Sequence, residues 1–248
     1  MKATFSNSVL IIPAYNEEAS LVSVLEEVRQ HLPGLDVVVI SDGSDDETAD
    51  LVRRNGATVL DLPCNLGVGS AVQAGFRYAY GQGYRFLIRC DGDGQHPSAE
   101  ISKLIDAMNA GGVDMVIGSR FLGQQEYTGS FARNCGIRLL AAALSVTCRK
   151  RVTDPTSGFQ MMNRQLMSYF AASYPVEYPE PEALARLRRQ GYEFAEVPVS
   201  FRERQAGQSS IAGWGAIYFL VKICLALLVD RARQVDRRYA KFSLKDEE

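Results

Sequence analysis

Residues 9–46 read VLIIPAYNEEASLVSVLEEVRQHLPGLDVVVISDGSDD. The runs 9–12 and 37–40 are almost continuously apolar, as strands covered on both faces should be. Between them, Leu21, Val24, Leu25 and Val28 recur at helical spacing over residues 17–31, and Pro33-Gly34 closes that helix. The same alternation continues down the chain. Residues 58–60, 86–88 and 115–117 read as further strands, and 47–55, 70–80 and 99–109 as helices, the last opened by Pro97-Ser98. Strand and helix repeated this often predict an α/β fold, a mainly parallel sheet flanked by helices.

Past residue 118 the rhythm changes. Residues 123–129 read as a loop, 131–148 as a helix, 182–190 as another, and 194–199 as a strand; between the first helix and the second lies TDPTSGFQ at 153–160. Nothing there reads as an independent second domain, and there is no internal repeat. The chain has 248 residues, enough for one large α/β domain with a sizeable core. Its 27 basic and 29 acidic residues leave a net charge of −2, so no global field recruits nucleic acid. Cys64, Cys90, Cys135, Cys148 and Cys224 are odd in number and form no C-x-x-C pair, which argues against a disulfide framework and against a zinc site. A reducing cytoplasm is the expected compartment. The apolar run at 9–12 is too short for the core of a signal peptide and reads as the first strand.

In an open parallel sheet, ligands bind beyond the carboxyl ends of the strands. Those ends are unusually polar here: PAYNEE at 13–18, SDGSDD at 41–46 and DGDGQHP at 91–97. No glycine-rich loop follows the first strand and no P-loop lysine pattern exists, so a phosphate ligand is not held by a backbone cradle of either kind. Carboxylates can surround a phosphate only with a cation between them, and Mg²⁺ or Mn²⁺ prefers oxygen ligands. Asp91 and Asp93 supply such oxygens, with Gln95 adding a neutral one and the glycines permitting a tight turn. His96 precedes a proline and reads as packing beside this site. Asp42 suits the donors of a nucleobase, whereas Asp45 and Asp46 read as first-turn acids that complement a helix dipole. Asn65 either turns the chain or touches the ligand.

Taken together, IIPAYNEE (11–18), SDGSDDET (41–48), NLGVGSAVQAGF (65–76), DGDGQHP (91–97), GSRF (118–121), DPTSGF (154–159) and RQAGQSS (204–210) resemble the family 2 glycosyltransferases, above all the dolichyl-phosphate mannose synthase-like branch. The order and approximate spacing match over residues 7–211. This resemblance implies a GT-A fold that binds a nucleotide-diphosphate sugar and passes the sugar on with inversion. It implies that Pro13, Tyr15 and Glu17 line base and ribose with Asp42, that Asp91, Asp93 and Gln95 hold Mg²⁺ or Mn²⁺, and that Arg120, Arg133, Arg204 and Ser209 meet phosphates. Two positions depart from the family pattern: Val68 and Ser210 stand where a cation is usual. Either Arg202 or Arg204 compensates, because a guanidinium clamps phosphate oxygens bidentately, or the acceptor differs from that of the best-known members.

The expected acceptor is a polyprenyl phosphate, with a glycan hydroxyl as the alternative. A hydroxyl needs a general base and an anionic phosphate does not. The candidate base is Glu182 in YPEPEAL, with Glu180 beside it; the plain alternative is that Pro181-Glu182 opens a helix. A nucleotide-sugar binding protein without turnover is the reading from another class. Residues 1–211 form the expected catalytic domain and 212–248 an apolar helix with a basic tail. Within that tail, the 17 residues of 213–229 carry Lys222 as their one charge. At about 1.5 Å per residue they reach about 26 Å, short of a hydrocarbon core of about 30 Å. The segment therefore suits a peripheral contact with the cytoplasmic face of a membrane, or burial in a homo-oligomer.

Overall fold

The computed structural model describes residues 2–123, 131–202 and 222. Among these residues seven strands form one sheet: β1 (Ser8–Ala14), β2 (Asp36–Ser41), β3 (Thr58–Asp61), β4 (Phe86–Arg89), β5 (Met115–Ser119), β6 (Gln160–Asn163) and β7 (Phe194–Pro198), in the spatial order β3-β2-β1-β4-β6-β5-β7. All the pairings are parallel except those of β6, which runs antiparallel to both β4 and β5. The mainly parallel sheet read from the sequence is thus present.

The helices are α1 (Glu18–His31), α2 (Thr48–Arg54), α3 (Val68–Gly81), α4 (Ile101–Ala110), α5 (Phe131–Cys148), α6 (Arg164–Ala172) and α7 (Pro179–Arg189). Alternate strand residues feed two cores. Leu10, Ile12, Val39 and Ile88 pack with α1, α2 and α4, while Val9, Ile11, Val38 and Leu87 pack with α3, α5, α6 and α7. The sequence reading omits β6 and α6. β6 has only four residues, polar at both ends, and α6 begins directly behind it with Asn163 as its cap, the side chain accepting from the Leu166 N–H. Helix α7 opens at Pro179, three residues earlier than expected, because two prolines fit a first turn that needs no N–H donors.

Connections leave β1 toward one edge of the sheet and β4 toward the other, so a crevice opens between their carboxyl ends. The reversed β6 enters at that same edge. Its first residue, Gln160, stands opposite Arg89 of β4 and Ile117 of β5.

Candidate active site

The turns after β1 and β2 are laced together by side chains. Asn16 takes a left-handed backbone (φ 53°) and its amide oxygen accepts from the Asp45 N–H at 2.9 Å, while the Asn16 N–H donates to Ser44 Oγ at 3.2 Å. The Glu17 N–H donates to Thr48 Oγ1 at 2.9 Å, and Asp46 accepts from the N–H groups of Glu18 and Thr48. Burial works against the charge of Asp46, but these bonds hold its carboxyl below the usual range. Asp46 thus serves the helix start, as its position suggests.

Asp42 is buried, and its Oδ1 accepts from the Leu66 N–H at 2.9 Å, which fixes the turn after β3. Asn65 turns the chain by accepting from the Gly67 N–H at 3.0 Å. Gly43 makes this approach possible. Its φ is +64°, and a Cβ there would lie 2.3 Å from the carbonyl carbon of Cys64. Pro13 is buried and Tyr15 stands exposed at the rim.

The DGD turn packs directly on the end of β1. A Cβ on Gly92 would meet the Pro13 carbonyl at 3.5 Å and Glu17 Cγ at 3.6 Å, and the single Ser20 hydroxyl proton is shared between the Gly92 carbonyl at 2.8 Å and Glu17 Oε2 at 2.9 Å. Asp93 is buried and accepts from the Gln95 N–H at 3.0 Å, whereas the Asp91 side chain is 37% exposed. His96 stacks on Phe159, and its Nδ1 accepts from the Asp91 N–H at 3.0 Å. Burial lowers its pKa against the pull of Asp91 and Asp93, so the neutral ring packs beside the site as expected.

The arginines and glutamates are engaged in pairs. Arg120 clasps the fully buried Asp154 through Nε (2.7 Å) and Nη2 (2.6 Å), donates to Thr156 Oγ1 and lies over the Phe201 ring. Arg202 pairs with Glu27 at 2.6 Å. Glu182 accepts from Arg186 one turn on, at 3.1 Å. Glu180, not Glu182, is tied to the end of β4: its Oε1 is 2.8 Å from Nη2 of Arg89, which also reaches Asp91 Oδ1 at 3.4 Å. The sequence reading missed Arg89, although a cation ending the apolar strand FLIR is itself a signal. It also missed Gly158, where a Cβ would fall 2.8 Å from both carboxylate oxygens of Asp91. Arg204, Ser209 and the side chain of Arg133 lie outside the described residues, as does 213–229 apart from Lys222.

The crevice therefore brings together Pro13, Glu17, Asp91, Asp93, Gln95 and Glu180, with Asp42 and Asn65 on the neighbouring turns. Against known families, the model for glycosyl transferase family 2 matches residues 9–170. The chain belongs to glycosyl transferase family 2. It falls in the dolichyl-phosphate mannose synthase-like branch of these glycosyltransferases. Polyprenol monophosphomannose synthase of Mycolicibacterium smegmatis is 29% identical, covering 93% of this chain and 91% of that protein. Dolichyl-phosphate hexose transferase of Haloferax volcanii is 32% identical, covering 90% and 96%. Glucosyl-3-phosphoglycerate synthase of Mycobacterium tuberculosis, solved with Mn²⁺, UDP and glucosyl-3-phosphoglycerate, superposes with a TM-score of 0.66 at 20% identity, over 91% of this chain and 80% of that one. That likeness assigns the GT-A fold to this family 2 enzyme.

The donor set fits a hard divalent ion. Among the described residues no group of three or more His, Cys, Asp or Glu side chains could hold a metal by itself. Asp91 and Asp93 offer carboxylate oxygens, and Mg²⁺ is ordinarily held by one or two carboxylates, with substrate phosphates and water completing its shell. A pair of acids at a ligand crevice is what such a shared ion requires.

Proposed function

We propose that this family 2 glycosyltransferase moves a sugar, with inversion, from a nucleotide-diphosphate sugar to a polyprenyl phosphate, and that it depends on Mg²⁺ or Mn²⁺. Asp91 and Asp93, with Gln95, would hold the ion, which supplies Lewis-acid neutralisation of the departing diphosphate. Pro13, Tyr15, Glu17, Asp42 and Asn65 line the side of the crevice suited to base and ribose. Arg133, Arg204 and Ser209 are assigned to the phosphates by motif position alone. Arg120 acts at one remove, holding the 154–156 turn at the crevice edge. The chain's own contribution is to hold donor and acceptor in line, which lowers the entropic part of the barrier.

The observation that carries the acceptor is the pairing of both acids offered as general base. Glu180 is engaged by Arg89 and Glu182 by Arg186. An acceptor that is already anionic needs neither as a base. The relatives named for polyprenol and dolichyl phosphate support the same choice. No helix among the described residues is long and apolar enough to cross a membrane, and a peripheral contact at the cytoplasmic face is the arrangement proposed for meeting the lipid.

The test is transfer of radiolabelled sugar from a panel of nucleotide sugars, with Mn²⁺ and undecaprenyl phosphate. Label entering the organic phase, lost with chelator and with Asp91→Ala/Asp93→Ala, is the expected result. Label appearing only in a water-soluble glycan, or donor binding without transfer, refutes the proposal.

A further inference from the structure

Arg89 ends β4 on the face that carries α3, α6 and α7, two residues before the first aspartate of the DGD turn. Its side chain is 2% exposed, and among the described residues neither Nε nor Nη1 has a hydrogen-bond partner. A guanidinium this far from water needs counter-charge, because desolvation costs several kcal/mol per ion. Two carboxylates provide it through a single nitrogen. Nη2 stands 2.8 Å from Glu180 and 3.4 Å from Asp91, so the tighter partner is the acid of α7 and not the acid of the DGD turn.

The charges add up in an informative way. Arg89 and Glu180 cancel, which leaves the two acids of the DGD turn, Asp91 and Asp93, with a charge of −2, the complement of one divalent ion, while the neighbouring Glu17 carboxylate is held by Ser20 Oγ. His96 adds nothing to this sum: its Nδ1 accepts from the Asp91 N–H and so carries no proton. Remove the charge of Glu180, and Asp91 is the one carboxylate among the described residues left to pair with the buried arginine, beside the Tyr174 hydroxyl. Asp91 and Arg89 pack closely against Gly158, where an added Cβ would fall 2.8 Å from the carboxylate oxygens and 3.2 Å from Nη2.

We propose that Glu180 is a positioning residue: its carboxylate engages the Arg89 guanidinium and so preserves the negative charge of Asp91 for the divalent ion. This rests on the assignment of Asp91 and Asp93 to that ion. Arg89 and Glu180 touch neither donor nor acceptor in this scheme. They set the electrostatic state of the residue that does, and they tie the first turn of α7 to the donor crevice.

The experiment is a titration of the full chain with Mn²⁺ alone, reading free Mn²⁺ by electron paramagnetic resonance, with circular dichroism to verify the fold. Glu180→Gln should weaken Mn²⁺ binding about tenfold or more, the effect of one unit charge a few ångströms from the ion in a protein interior. Adding Arg89→Met to Glu180→Gln restores the charge sum and should bring binding back to within about threefold of the parent. A merely structural role would not produce that rescue. Should Glu180→Gln alone fail to fold, Arg89→Met carries the test: binding as tight as the parent or tighter supports the proposal, and weaker binding overturns it. Folded Glu180→Gln with unchanged affinity, or a double variant as weak as the single, overturns the positioning role alone. A parent chain whose Mn²⁺ binding is absent, or is untouched by Asp91→Asn, overturns the metal assignment and this inference with it.

Discussion

Asp154→Ala should lower the unfolding temperature steeply. Asp154 is fully buried and accepts from Nε, Nη2 and the backbone N–H of Arg120, at 2.7, 2.6 and 3.0 Å, and the Arg120 side chain is itself only 9% exposed. Truncation leaves a guanidinium with little access to water and its bidentate partner gone, a loss of about 3–5 kcal/mol for a buried pair broken on one side. In a domain of this size each kcal/mol moves the midpoint by about 2–4 °C, so the expected fall is about 6–20 °C. Thermal unfolding by circular dichroism or calorimetry measures it. Arg120→Met/Asp154→Leu, which removes both charges, should recover much of the loss. A fall under about 3 °C, accompanied by a raised KM for the donor, would refute this reasoning and return Arg120 to the phosphate role its motif suggests.

Gly158→Ala should cut kcat/KM by about 10–100-fold with the fold preserved, since overpacking of about 1–3 kcal/mol would fall on the Asp91 carboxylate; activity within threefold of the parent contradicts this. Cys64 is exposed while Cys90 and Cys148 are buried, and burial pushes the Cys148 thiol up to about 11. Maleimide labelling at pH 8, mapped by mass spectrometry, should therefore mark Cys64 and spare those two, and a bound nucleoside diphosphate should slow it if the base lies by Asn65. Glu27 gives a pH signature. Burial opposes its charge, but Arg202 and Ser98 outweigh that and hold it below its ordinary 4.5. The unfolded chain then binds more protons in acid, so this stability is present above about pH 4.5 and is lost as pH falls through the folded value. Glu27→Gln should flatten the acid limb of midpoint against pH; an unchanged limb would exclude the linkage.

The parallel half of the molecule was legible because its signals are local. Apolar runs over 9–12 and 37–40 and the helical stripe of Leu21 to Val28 each state their own period, and the strand-end acids follow from position in such a sheet. Partnership is not local. Nothing in GSRF says that Arg120 will be claimed by an aspartate 34 residues on, and nothing in YPEPEAL says which glutamate meets Arg89. Both acids lie in the first turn of α7, two residues apart, and on a helix that spacing points them to different sides. Only the packing of α7 against the end of β4 decides between them.

The missed strand shows where periodicity stops being informative. A run of apolar residues reports burial, not direction, and β6 runs opposite to its neighbours. Direction matters here because the segment leading into an antiparallel strand lies where segments leading out of parallel strands lie. The turn that precedes Gln160 is therefore delivered to the carboxyl edge, beside the DGD turn that follows β4 and the GSRF segment that begins in β5. Had β6 run parallel, residues 154–159 would enter at the far edge, and neither Asp154 nor Gly158 could reach Arg120 or Asp91. Reversal of one four-residue strand is what lets DPTSGF join the crevice. Its glycine is then fixed by the Asp91 carboxylate pressed against it, and its aspartate by the arginine it holds.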